Sequence, residues 1–155
     1  MIRLALVRHA KSDWGDPGLP DHDRPLNPRG LRDAPVMAAR LADSGFAPDL
    51  IVASTALRAR TTAEIFADRF GLAPLLRDEL YGAGADELLR TAATQGVASV
   101  LLVAHDPGMS ALAGRLAPEI AHMPTCAVAT FTWDQDDWDV ASALDPDAWT
   151  FDSPR

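Results

Sequence analysis

The chain has 155 residues, 48% of them hydrophobic and 23% charged, with a formal net charge of −8. That length suits one domain over residues 1–155 with a sizeable core, and the acidic balance argues against a general nucleic-acid or anionic-membrane binder. A single cysteine, Cys126, excludes an intrachain disulfide and a cysteine-based metal cluster, and no apolar run nears membrane-spanning length, so a soluble cytoplasmic enzyme or binding domain is expected.

Residues 2–7 predict a short buried strand that runs into Arg8-His9-Ala10. The loop 11–24 is rich in Asp, Gly and Pro and has no period. Asn27-Pro28-Arg29-Gly30 then opens a helix, with Asn as cap and Pro in the first turn. Leu31, Ala34, Ala38 and Leu41 give that helix an apolar face, Gly45 ends it, and Pro35 is a candidate bend. Residues 50–53 predict a second strand. Ser54 or Thr55 is expected to cap the next helix, which stops at Gly71. Residues 73–76 are a candidate third strand, 86–96 a third helix, and 100–104 the clearest strand of all. Asp106-Pro107-Gly108 starts a further helix, with Asp as cap. Residues 127–133 and 140–144 predict two strands joined by a turn, followed by an irregular tail that could pack Trp149 on the body. Strands alternating with helices imply an α/β fold, a three-layer α/β/α sandwich around a mainly parallel sheet.

Three of these strands end in conspicuous residues. The first ends in Arg8-His9, the second runs into Ser54 and Arg58, and the fourth ends in His105. Ligands of open α/β sheets gather outside the carboxyl ends of the strands, so these side chains have a physical reason to meet. Two arginines and two histidines in one crevice point to phosphoryl chemistry. A guanidinium matches phosphate oxygens with a planar fork of donors, and a neutral imidazole is a competent nucleophile near neutral pH. Neighbouring arginines are expected to keep His9 unprotonated.

Leu6-Val7-Arg8-His9-Ala10, the Ser54…Arg58-Ala59…Thr62-Ala63 stretch and Val103-Ala104-His105-Asp106-Pro107-Gly108 together resemble the histidine phosphatase superfamily, with its phosphoglycerate-mutase-like fold. The resemblance implies that His9 becomes phosphorylated, that Arg8 and Arg58 grip the phosphoryl group, and that His105 stabilises its charge. Water then hydrolyses the phosphohistidine with no metal or other cofactor. Members that act on alkyl phosphates carry a carboxylic general acid soon after the third strand, because an alkoxide needs a proton as it leaves. Here that place holds Gly82, with Glu79 nearby and out of register. Together with the Arg24-Pro25-Leu26 element and the small size, this resembles the SixA-type phosphohistidine phosphatases. The implied substrate is a phosphohistidine-bearing protein.

A phosphatase for small phosphomonoesters, with Glu79 or another carboxylate as acid, and a non-catalytic phospho-ligand module are the alternatives. Asp106 stands where many relatives have Asn. Its carboxylate should weaken anion binding, or could orient His105. Arg24 is a candidate substrate contact, or else the partner of Asp21 or Asp23. Asp21-His22-Asp23 invites a metal reading that three adjacent residues rarely satisfy. Arg60 is a rival of Arg58 on the same helix, but two residues apart they do not face the same way, so only one is expected to reach the phosphate. The motif register of the resemblance favours Arg58 and leaves Arg60 a surface charge. His122 is set outside the site, Trp133 and Trp138 read as packing, and Cys126 as a small core residue.

Overall fold

The computed structural model describes residues 1–155. Strands β1 (Ile2–Arg8), β2 (Leu50–Ser54), β3 (Leu75–Arg77), β4 (Ser99–Ala104), β5 (Val128–Trp133) and β6 (Ala148–Asp152) form one sheet in the order β3-β2-β4-β1-β5-β6. The first four are mutually parallel where they pair. β5 runs antiparallel to β1, and β6 antiparallel to β5.

The sheet is covered on both faces because its central strands are apolar at successive positions. Leu4 and Leu6 face one side, with Leu102 and Phe131, beneath α3 (Ala85–Ala93), α4 (Gly108–Leu116) and the short α5 (Trp138–Ala141). Ala5 and Val7 face the other, with Ile51 and Val103, beneath α1 (Pro28–Asp43) and α2 (Leu57–Phe70). The α/β/α layering expected from the sequence is therefore present, with Trp133, Trp138 and Cys126 buried in it.

Asn27 caps α1 by accepting the Gly30 amide at 2.9 Å, and the helix continues through Pro35. Two glycines set the spacing near the strand ends. A Cβ on Gly30 would lie 2.2 Å from the Lys11 carbonyl oxygen, and one on Gly108 would lie 2.1 Å from that of Ala83. The first contact presses the loop after His9 against α1. The second presses the start of α4, just after His105, against the segment that carries Tyr81.

Three expectations need correction. Residues 140–144 are not a strand: Asp137 accepts the Asp139 amide and opens α5, while Trp138 buries its ring and donates to the Val97 carbonyl at 2.7 Å. The sixth strand lies instead in the segment expected to be irregular, where Trp149, Thr150 and Phe151 pair with β5. Neither Ser54 nor Thr55 caps α2. Helical geometry starts only at Leu57, and both hydroxyls are engaged with histidine rings.

Candidate active site

The carboxyl ends of β1, β2 and β4 open into a crevice of about 270 Å³. Arg8, His9, Arg58 and His105 all line it, as does Arg24 from the loop. A larger groove of about 600 Å³ runs between α1 and α2, away from these strand ends and without a histidine.

His9 is fixed by its own backbone and by its neighbours. Its amide donates to the Ala104 carbonyl of β4 at 3.0 Å, and the Cys126 amide reaches the carbonyls of both Arg8 and His9. The ring Nδ1 lies 2.7 Å from the Ala10 carbonyl oxygen. A carbonyl can only accept, so Nδ1 carries the hydrogen and Nε2 keeps its lone pair. Thr62 links this turn to α2: it accepts the Ala10 amide at 3.0 Å and donates to the Arg58 carbonyl at 2.7 Å.

The His105 ring stands 5.1 Å from that of His9, centroid to centroid. Its Nε2 is 2.8 Å from Ser54 Oγ, which also accepts the Ala56 amide at 3.3 Å. A serine hydroxyl has one proton to give. Donating it to Nε2 satisfies Ser54 and assigns the ring hydrogen to Nδ1.

Both histidines are held neutral. The pKa of His9 falls to about 3, chiefly through burial, with His105, Arg58 and Arg8 pushing in the same direction against the Ala10 hydrogen bond. That of His105 falls to about 4, again mainly through burial and then Arg58. The arginine effect expected from the sequence is thus present but secondary. A stability consequence follows. Above the unfolded pKa of 6.5 neither folded nor unfolded chain protonates these rings, so they impose no pH dependence. As pH falls below it, the unfolded chain takes up protons that the folded chain refuses, and stability drops. At pH 5 each ring should cost about 2 kcal/mol relative to pH 7.5. Denaturant titrations at the two pH values check this, and His9→Gln should remove its share of the loss.

The arginines approach from separate elements. Arg8 donates from Nη1 to the Met123 carbonyl at 2.9 Å and stands 3.5 Å from Asp106 Oδ2. Arg58 projects from α2 and donates to the backbone and carboxylate oxygens of Asp21 at 2.7 and 3.0 Å. Arg60, two residues on, is exposed and pairs with Glu64. The Nε atoms of Arg8 and Arg58, and Nδ1 of His105, are buried and face no protein acceptor. Buried donors of this kind suit an anion with several oxygens, since each left unpaired costs about 1–3 kcal/mol.

A model of the histidine phosphatase superfamily (branch 1) matches residues 4–85, more than half of the chain. The chain belongs to that superfamily. Its relatives include a chloroplastic protein of Arabidopsis thaliana, 30% identical over 161 residues that cover 95% of this chain and 74% of the other. Among solved structures, a protein assigned as phosphohistidine phosphatase SixA in Agrobacterium tumefaciens is 36% identical, with a TM-score of 0.79 over 85% of this chain and 92% of that one. The protein histidine phosphatase SixA complexed with tungstate superposes with a TM-score of 0.74 at 26% identity, covering 99% and 97% of the two chains. This histidine phosphatase is therefore of the SixA type, and the superfamily's chemistry makes it a hydrolase of phosphorylated substrates working through a histidine intermediate.

Several residues in or beside the crevice of this phosphatase have roles that the sequence reading did not assign. Ser54 stands in the second motif with only a helix-capping role expected of it, whereas it touches His105. Tyr81 stands edge-on to the His105 ring at 5.5 Å, and Trp14 lies over the Arg24 guanidinium at 3.5 Å. Asp21 joins Arg24, Arg58 and Tyr81. No periodicity marks such residues, because loops bring them in. Glu79 is exposed in a 3-10 turn and does not line the crevice. The Asp106 carboxylate accepts the Ser110 amide and hydroxyl at 2.9 and 2.7 Å and faces Arg8 and His122, rather than orienting His105. His122 itself is exposed, 3.7 Å from that carboxylate.

Proposed function

We propose that this phosphatase removes the phosphoryl group from phosphohistidine in a protein, with His9 as the nucleophile. The observation that carries the reading is a pair of buried neutral histidines lining one crevice with two arginines whose buried Nε donors have no protein partner. His9 Nε2 attacks phosphorus as the bond from phosphorus to the substrate imidazole breaks. Protonated on its other nitrogen, that imidazole departs neutral. Water then attacks the phospho-His9 bond, releasing inorganic phosphate and returning the free ring. Arg8 and Arg58 hold the phosphoryl oxygens and His105 donates to the charge that builds on them. Arg24 supplies a further positive group at the rim.

The choice of leaving group rests on the carboxylates. An alkoxide would need a proton from the protein. Two carboxylates line the crevice. Asp106 is taken up by the Ser110 amide and hydroxyl and by Arg8. For Asp21, the Tyr81 hydrogen bond and then Arg24 and Arg58 hold the carboxyl well below the usual carboxylate range, so it has no proton to give at neutral pH. Glu79 lies outside. An imidazole leaving group dispenses with such an acid.

The test compares a phosphohistidine-bearing protein with p-nitrophenyl phosphate, both in EDTA. Dephosphorylation of the protein with kcat/KM at least 100-fold above that for the ester supports the reading. Rapid ester turnover beside an untouched phosphohistidine protein would make this a small-molecule phosphatase, and loss of both activities in EDTA would overturn the mechanism.

A further inference from the structure

The Asp21-His22-Asp23 triplet does not converge on one point. His22 turns to Thr55, with Nε2 2.9 Å from its Oγ1, and Asp23 is exposed. Asp21 is exposed as well, but it lines the crevice and is the hub of its rim. Oδ1 accepts from Arg24 Nε at 3.0 Å, and Oδ2 accepts from Arg58 Nη2 at 3.0 Å and from the Tyr81 hydroxyl. Its backbone carbonyl takes Arg58 Nη1 at 2.7 Å. One residue thus engages both terminal nitrogens of Arg58, and the side of the guanidinium left over is the buried Nε.

The partners of Asp21 are themselves held. Tyr81 packs against His22 at 5.0 Å and His105 at 5.5 Å. Arg24 donates to Ser12 at 2.7 Å and carries Trp14 on its face. The hub therefore ties the loop after β1, the turn at Asp21–Asp23, α2 and the segment after β3 to one carboxylate. Against this stands an electrostatic cost: a negative group beside Arg58 repels the phosphoryl oxygens that Arg58 is there to hold.

We propose that Asp21 is a positioning residue, whose carboxylate, braced by Tyr81, fixes Arg58 and Arg24 in the orientation that the transferring phosphoryl group needs. Asp21 gives up some ground-state anion affinity for a preorganised guanidinium, whose hold on the phosphoryl oxygens is strongest in the transition state. The inference rests on the phosphatase reading above. It separates kcat from binding, which a merely structural residue would not do.

The experiment measures kcat and KM on the phosphohistidine protein and, independently of turnover, tungstate affinity by calorimetry, for wild type, Asp21→Asn, Asp21→Glu and Tyr81→Phe. Asp21→Asn should lower kcat by about 10- to 100-fold while tungstate binds about three- to tenfold more tightly, because the repelling charge is gone. Tyr81→Phe should lower kcat by a smaller factor, and Asp21→Glu should recover part of the loss by restoring the charge. An active wild type with Asp21→Asn kcat within twofold overturns the inference. So does a parallel loss of kcat and tungstate affinity, which would mark general damage to the crevice. A wild type that turns over no phosphorylated substrate removes the phosphatase reading, and the positioning role with it.

Discussion

His9→Ala is expected to lower kcat by about 10⁴-fold or more, on the phosphohistidine protein and on p-nitrophenyl phosphate alike. Loss of a covalent nucleophile removes the reaction path itself rather than one stabilising contact, and the remaining donors recover little of it. The fold should survive, because the β1 backbone bonds to Ala104 and Cys126 do not involve the ring. Melting at neutral pH checks that the variant is folded before its rate is read. The pH profile carries a second signature. With its pKa near 3, His9 stays neutral from pH 8 to pH 5, so its protonation should cause no fall in kcat/KM across that range. An acid limb at an ordinary histidine pKa would contradict a nucleophile held neutral by burial.

Arg58→Ala should cost about 10²- to 10³-fold in kcat/KM, the usual loss when a preorganised donor to developing charge is removed. Arg58→Lys should recover only part, since an ammonium cannot hold Asp21 through two nitrogens and still offer a third donor inward. Arg60→Ala is the internal control. Its guanidinium is exposed on the same helix and paired with Glu64, so activity should stay within twofold of wild type. Steady-state kinetics of the three variants decide between the two arginines. If Arg60→Ala proved the damaging one, the assignment of the phosphate clamp to Arg58 would fall.

What was legible in the chain follows from local physics. Leu4 to Val7 and Val100 to Ala104 are apolar at every position, which only a strand covered on both faces tolerates, so their ends mark the crevice where Arg8, His9 and His105 sit. The two-residue offset of Arg58 and Arg60 likewise means that only one can enter the crevice, and the motif register, rather than geometry, picks Arg58, which is the buried one. The C-terminal segment was harder. Val140 and Leu144 look like strand residues, yet Trp138 anchors a helical turn through Val97, more than 40 residues back in sequence. β6 pairs as an edge strand whose residues are all exposed, and so it carries no alternation of burial to read. Asp21 and Tyr81 meet across 60 residues, and each alone is an ordinary loop residue.

The most direct test of the account is to mix enzyme with a ³²P-phosphohistidine protein, quench within milliseconds in base, and map the label by peptide mass spectrometry. We expect acid-labile, base-stable phosphate on the peptide containing His9, formed and lost at rates that match turnover, and absent from His9→Ala. Turnover that proceeds with no label on His9, or label that persists in His9→Ala, would contradict it.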